Sequence, residues 1–269
     1  MAKHELGFVG AGNMAEAMLR GVTAGKFLPP EAVIASEPRA ERREALAREL
    51  GVACTADNRA AAACPRVVLA VKPQMMAAVL EEIAPAISAD ALVISIAAGV
   101  KASWIDQRLG GKGRIVRVMP NTPMLVGAGV SAVAAGPRAT ADDLDWTCRM
   151  LAAGGGSAVV VEESMMDAVT AVSGSGPAYF FYLVEAMIAA GVAEGLSPDV
   201  AAKLARETCL GAGKLLVDGG EAPEVLRARV TSPNGTTQRA IETLDAAGVK
   251  DKLVAAFRAA AERSRELGK

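Results

Sequence analysis

The sequence predicts a two-domain α/β protein, a doubly wound parallel sheet followed by an all-helical domain. Three observations carry that prediction. An apolar run, Leu6-Gly7-Phe8-Val9, ends in Gly10-Ala11-Gly12 and passes at once into the helix-forming segment Met14-Ala15-Glu16-Ala17-Met18-Leu19. Strand-like and helix-like runs then alternate as far as residue 163, the pattern of consecutive βαβ units. From Ser164 onward no strand-like run survives, and the segments are long, alanine-rich and helical.

The elements follow in order. Leu6 to Val9 is the first strand and Met14 to about Ala24 the first helix. Ala32-Val33-Ile34-Ala35 is a second strand, entered through Pro29-Pro30, and Pro38 to Leu50 is a charged helix closed by Gly51. Arg66 to Val71 is a continuous apolar strand of the kind buried on both faces of a parallel sheet. Lys72-Pro73 ends it, and Gln74 to Ile87 is helical. Leu92 to Ile96 and Arg114 to Val118 are further strands. They end at Ala97-Ala98-Gly99 and at Met119-Pro120-Asn121-Thr122-Pro123. Val130 to Ala134 and Val159 to Val161 flank a helix from Ala141 to Ala153, with Thr140 as its N-cap. The helical domain then reads as Ser164–Val172, Pro177–Gly195, Ser197–Asp218, Ala222–Arg229, Thr236–Ala247 and Lys250–Leu267. The domain boundary is expected at 163/164, giving residues 1–163 and 164–269.

Strand, glycine turn and helix form the opening of a dinucleotide-binding unit of the Rossmann type. Gly10 can adopt angles closed to residues with a Cβ, and Gly12 lets the main chain approach a pyrophosphate. The helix behind them offers unpaired N–H groups and the positive end of its dipole. Ligands of such sheets bind outside the carboxyl ends of the strands. The candidates are therefore Gly10 to Met14, Ser36, Lys72, Ala97 to Gly99, and Asn121-Thr122. The end of the second strand selects the cofactor. Ser36 with Arg39, and Arg42 and Arg43 behind it, favours the 2′-phosphate of NADP, while Glu37 keeps NAD open.

Composition narrows the chemistry. The 269 residues carry a net charge of −1 with 52% hydrophobic residues, which argues against a nucleic-acid partner. Cys54, Cys64, Cys148 and Cys209 are scattered, suggesting neither a disulfide framework nor a metal site, and they read as buried small residues in a reducing compartment. Met1-Ala2-Lys3-His4-Glu5 leads straight into a strand without a signal-peptide core. Glu185 and Glu194 interrupt the most apolar stretch, Ala178 to Gly195, which is not read as a membrane span. A soluble, cytoplasmic protein is expected. His4 is the sole histidine and precedes the first strand, so histidine-based nucleophilic or metal chemistry has no material.

Two hydroxyl-rich segments stand out in the helical half. Ser173-Gly174-Ser175-Gly176-Pro177 is expected as a loop between helices, and Thr231 to Gln238 as a second loop opening a helix. Hydroxyls and backbone N–H groups at a helix N-terminus suit a small carboxylate. The Ala, Gly and Met faces of Pro177–Gly195 and the next helix are too apolar for a monomer surface, so association between copies is expected.

Taken together, the motifs resemble those of pyrroline-5-carboxylate reductases. The similarity runs nearly end to end. It rests on Gly7 to Ala15, Ala70-Val71-Lys72-Pro73-Gln74, Val116 to Pro123, Ser173 to Tyr179, and Val230 to Thr237. One departure is Asn234, where the family usually has glycine. Asparagine tolerates positive φ better than other residues with a side chain, so the loop is expected to survive.

The resemblance implies reduction of 1-pyrroline-5-carboxylate to L-proline by NADPH, with NADH possible, on a Rossmann domain followed by a helical dimerisation domain. It implies cofactor contacts at Gly10, Ala11, Gly12, Asn13, Met14, Ser36, Asn58, Ala70, Val71, Lys72, Pro73, Ala97 and Ala98. Substrate contacts are implied at Asn121, Ser232, Gly235, Thr236 and Thr237, and Thr237 is expected to donate a hydrogen bond to the ring nitrogen or to orient it. Lys72 is a weaker candidate acid, and Glu221 a minor one near the amine. A β-hydroxyacid dehydrogenase would need a catalytic lysine in the helical half; Lys203 and Lys214 are present but sit in no matching motif. A non-enzymatic nucleotide-binding protein and a reductase of another cyclic imine are the remaining alternatives.

Overall fold

The computed structural model describes residues 4–268; Met1–Lys3 and Lys269 lie outside them. The N-terminal region is an α/β sandwich. Its elements are β1 (Leu6–Val9), α1 (Asn13–Ala24), β2 (Val33–Ser36), α2 (Ala40–Leu50), β3 (Ala53–Thr55) and α3 (Asn58–Ala62). β4 (Arg66–Leu69), α4 (Met76–Ile83), β5 (Leu92–Ser95) and α5 (Ala102–Arg108) follow. β6 (Arg114–Met119), β7 (Val130–Ala135), α6 (Ala141–Ala152) and β8 (Ser157–Val160) complete the sheet. The eight strands lie in the order β3-β2-β1-β4-β5-β6-β7-β8. All pairs are parallel except β6 with β7.

Alternation along the strands explains why this sheet is covered on both faces. Leu6 and Phe8 of β1, Val68 of β4 and Ile94 of β5 share one core with α1, α2 and α6. Val9, Val67, Leu69 and Val93 point the other way, into a core with α3, α4 and α5. The order reverses between β1 and β4, so the crevice outside their carboxyl ends is the place where such a sheet binds ligands.

β3, α3 and α5 are additions to the expected elements. β3 has only three residues, too short for a period, and α3 is a five-residue helix started by the Asp57 side chain accepting from Arg59 N–H. At α6 the expected N-cap is present as a reciprocal pair, in which Thr140 and Asp143 each accept from the other's backbone.

Beyond β8 the chain is helical, through α7 (Met166–Val169), a π-helical turn at Thr170–Gly174, α8 (Gly176–Ala193), α9 (Pro198–Asp218), α10 (Pro223–Arg229), α11 (Thr236–Ala246) and α12 (Val249–Leu267). The compact units divide at Ser175/Gly176, past the first of the helical segments, and the chain rejoins the first unit at Ala260. The reason is packing. Met166 of α7 is buried against Ala132 and Ala134 of β7, which keeps the first helical turns on the sheet.

The second unit, Gly176–Ala259, has almost no interior of its own. Among the described residues only Gly176, Ala201 and Ala205 are buried in it. Phe180, Phe181, Leu210, Leu215 and Val217 are all more than half exposed. By length and composition the helical run Glu163–Ala193 could cross a membrane, and 6% of its most apolar window is buried within the chain.

Candidate active site

The glycine turn is shaped as the sequence requires. Gly10 has φ of +91°, a conformation that L side chains rarely adopt, and its N–H donates to the Ser36 carbonyl at 3.1 Å. Gly12 has an ordinary extended backbone, and a Cβ built there would meet no atom of the chain within 4 Å. Nothing inside the protein demands glycine at this position. The space in front of it is open. Gly12 is also the N-cap of α1 with no side chain closing it, so the first-turn N–H groups at Asn13 and Met14 remain for a ligand.

That space belongs to a cleft of about 710 Å³ along the carboxyl ends of the strands. Gly12, Asn13 and Met14 line it after β1, Ala70 to Pro73 after β4, and Ile96, Ala97 and Ala98 after β5. Met119 to Thr122 line it after β6, with Arg39 and Gly174. The structure thus brings together most of the expected cofactor residues with Asn121. Arg39 and Gly174 join them, and so do Ile96, Met119 and Pro120, whose apolar or backbone character offered no signal in the sequence.

Ser36 and Asn58 are placed differently. Ser36 is fully buried, and its hydroxyl donates to Asn58 Oδ1 at 2.7 Å, with the Phe8 carbonyl 3.3 Å away. Asn58 Nδ2 donates onward to Glu82 Oε2 at 2.8 Å. The pair braces the end of β2 from behind the turn. Ala11 is likewise buried. Asn121 is a brace of the opposite wall: its Oδ1 accepts from Val130 N–H at 3.0 Å, and its Nδ2 donates to Ser173 Oγ at 3.4 Å.

Glu37 is the acidic residue nearest the expected ribose site, and it is engaged. Arg39 Nε donates to its carboxylate at 2.7 Å, and Arg39 N–H lies 3.3 Å from the same oxygen. Burial pushes this carboxyl up, but the hydrogen bonds from Arg39 and the Ala11 amide outweigh it and hold Glu37 below the usual carboxylate range. Arg42 donates to the Ala11 carbonyl and pairs with Glu16, and Arg43 donates to the carbonyls of Glu37 and Pro38. Of the three arginines, Arg39 is the one on the cleft.

The Ser173–Pro177 segment corrects an expectation. It is not an open loop but the inside of a helical run, where Ser175 N–H donates to Thr170 O at 2.8 Å across a π turn. Small residues permit that wider turn, which puts Gly174 on the cleft and Ser173 beside Asn121. Cys64 is buried, its thiol pushed up to about 11 by burial, as suits a packing residue. His4 donates from Nδ1 to the Glu31 carbonyl at 3.0 Å.

In the helical unit, Thr231–Gln238 forms a tight turn into α11. Asn234 holds φ of +57°, so the departure from glycine keeps the left-handed conformation. Its N–H donates to Gln238 Oε1 at 2.8 Å. Gly235 is the N-cap of α11, again without a side-chain cap. The Gly235 N–H donates to the Ser232 carbonyl at 3.0 Å, so this amide is already taken. The first-turn amides of Thr236 and Thr237 have no carbonyl to meet within the helix. Among the described residues the hydroxyls of Ser232 and Thr237 have no hydrogen-bond partner. Glu221 is a poor free acid, because both of its oxygens are bound by Arg229.

Comparison with known proteins agrees with both halves. Residues 163–267 match the family model described as pyrroline-5-carboxylate reductase dimerisation, and residues 5–99 match that described as NADP oxidoreductase, coenzyme F420-dependent. The pyrroline-5-carboxylate reductase of Pseudomonas aeruginosa is 41% identical, covering 99% of this chain and 98% of its own. That of Methanosarcina acetivorans is 40% identical over the full length of both. The solved pyrroline-5-carboxylate reductase of Coxiella burnetii superposes with a TM-score of 0.92 at 34% identity, over 99% of each chain. The Plasmodium falciparum enzyme, solved with NADP bound, gives 0.87 at 29% identity over the whole of both chains. This chain belongs to the pyrroline-5-carboxylate reductase family.

Proposed function

We propose that the protein reduces 1-pyrroline-5-carboxylate to L-proline with NADPH, NADH being the weaker alternative, as the last step of proline formation. The observation that carries the reading is the ligand-ready turn at Gly12, an uncapped helix N-terminus facing open space in a cleft large enough for a dinucleotide. Full-length identity of about two-fifths to named reductases supports the choice of substrate.

The residues present fit the cofactor. The amides at Gly12, Asn13 and Met14 would hold its pyrophosphate, Arg39 its 2′-phosphate, and the backbone at Ala70 to Pro73, Ala97 and Ala98 its remaining length. Ser36 and Asn58 support that contact by fixing the end of β2. When bound there, the reduced nicotinamide supplies the hydride. The α11 loop is assigned the substrate carboxylate, through the Ser232 hydroxyl and the Thr236 and Thr237 amides. Thr237 Oγ1 then holds the proton at the ring nitrogen. A cyclic imine protonates readily near neutral pH, so binding and orientation suffice and no histidine is needed.

Association between copies follows from the second unit. Eighty-odd residues with only Gly176, Ala201 and Ala205 buried among them cannot offset the conformational entropy of ordering them, so another copy must cover Phe180, Phe181 and their neighbours. The same surface accounts for the apolar run Glu163–Ala193 without a bilayer. Four free cysteines and a mixed-charge surface suit the cytoplasm. The deciding experiment follows NADPH absorbance on adding pyrroline-5-carboxylate. Proline formed in step with NADPH consumed is expected. Cofactor binding without turnover would overturn the reading.

A further inference from the structure

β8 is the last strand of the sheet, and among the described residues no strand pairs with its outer edge. An edge strand exposing apolar residues is a liability that proteins ordinarily blunt with charge, proline or a bulge. Here none of these is present: the strand reads Ser157-Ala158-Val159-Val160, with Val159 and Val160 each about half exposed. The exposed apolar surface continues along the chain through Met165 and Val172, both in the first unit and both inside the segment that matches the family's dimerisation model.

The ladder fixes which groups are available. Ser157 N–H donates to Gly129 O and Val161 N–H to Val133 O, both at 2.9 Å, and Ala132 lies opposite Val159. Odd-numbered residues of β8 therefore turn their N–H and C=O toward β7. Ala158 and Val160 turn theirs outward.

We propose that β8 pairs antiparallel with β8 of a second copy, joining the two sheets across a two-fold axis that passes beside Val159. The inference rests on the homo-oligomer reading above and adds the place of contact. A two-fold axis there sets Ala158 opposite the partner's Val160, and Val160 opposite the partner's Ala158. Each pair exchanges both N–H···O bonds through the groups that point outward. Val159 then faces the partner's Val159 as a non-hydrogen-bonded pair, its own backbone remaining bound to β7. Cα atoms in such a pair stand about 4.5 Å apart, inside the range that a disulfide can bridge.

The test uses the full chain. Val159→Cys is oxidised mildly and run on a non-reducing gel beside the unsubstituted protein, which controls for Cys54, Cys64, Cys148 and Cys209. A covalent dimer as the major species, absent from the control, is expected. Val160→Pro removes an outward N–H and leaves the β7 ladder whole. It should raise the dimer dissociation constant at least about tenfold in light scattering while NADPH binding persists. A dimer in solution whose Val159→Cys form cross-links no more than the control overturns the proposal. A monomeric unsubstituted protein overturns the homo-oligomer reading with it, and leaves NADPH turnover as a separate measurement.

Discussion

Ser36 and Asn58 share a hydrogen bond of 2.7 Å beneath the glycine turn, and Asn58 passes it on to Glu82. The chain of contacts joins β2, α3 and α4 just where Gly10 N–H meets the Ser36 carbonyl. Ser36→Ala deprives the partly buried Asn58 oxygen of its donor, a loss of about 1–3 kcal/mol. Urea unfolding should show that loss, and the KM for NADPH should rise while kcat changes little. A variant as stable as the parent would show that the brace carries no weight.

In the proposed function Arg39 holds the 2′-phosphate and so governs the choice between cofactors. Its Nε is bound to Glu37, but the guanidinium carries further donors and the side chain is 69% exposed at the cleft. Glu37 is held ionised and turned to Arg39 and Ala11, so it is committed before any ribose arrives. Arg39→Ala should raise KM for NADPH by roughly ten- to a hundredfold, the worth of a hydrogen bond to a charged group, and alter KM for NADH far less. Equal effects on the two would remove Arg39 from the 2′-phosphate.

Much of this was legible in the sequence, for identifiable reasons. Buried parallel strands leave continuous apolar runs, and glycine turns leave fixed spacings, so β1, β4, β5 and β6 and the cleft they end in could be read directly. β3 could not, because three residues carry no period. Position alone did not show how Ser36 is engaged: the end of β2 is where ribose contacts lie, but the bond of its hydroxyl to Asn58, 22 residues on, needs the fold to be seen. The Ser173–Pro177 segment looked like a loop because serine, glycine and proline favour turns. A π turn uses the same residues to keep a helix going.

Acid should weaken the fold through a small set of carboxylates. Burial pushes the Asp143 carboxyl up, but Arg114, donating at 2.8 and 2.9 Å, and the N–H and hydroxyl of Thr140 outweigh it and hold it low. Glu16 and Glu37 are lowered in the same way, against burial, by their arginines. Such groups take up protons more readily unfolded than folded, so their stabilisation is complete above the ordinary carboxylate range. It drains as pH falls through their lowered values. Urea midpoints should hold steady down to about pH 5 and fall steeply below it. Asp143→Asn should be less stable at neutral pH and show a shallower acid slope. A slope equal to that of the parent would exclude Asp143 from the acid response.

The loop before α11 separates shape from chemistry. Asn234 at φ +57° needs only a tolerant backbone, so Asn234→Gly should leave stability within a few tenths of a kcal/mol, and Asn234→Ala should cost about 1 kcal/mol. Gly235 is constrained by space instead, since a Cβ there would lie 2.4 Å from Ser232 Oγ and 3.0 Å from its carbonyl oxygen. Gly235→Ala must push the Ser232 side chain aside, and should raise the substrate KM with the cofactor KM unchanged. In the proposed reaction Thr237 acts on the reacting group, not on the shape of the turn. Thr237→Ala should lower kcat/KM by roughly ten- to a hundredfold, the loss of one transition-state hydrogen bond, and Thr237→Ser should recover most of it. Unchanged efficiency in Thr237→Ala would reduce the loop to a carboxylate grip, with no part in orienting the ring nitrogen.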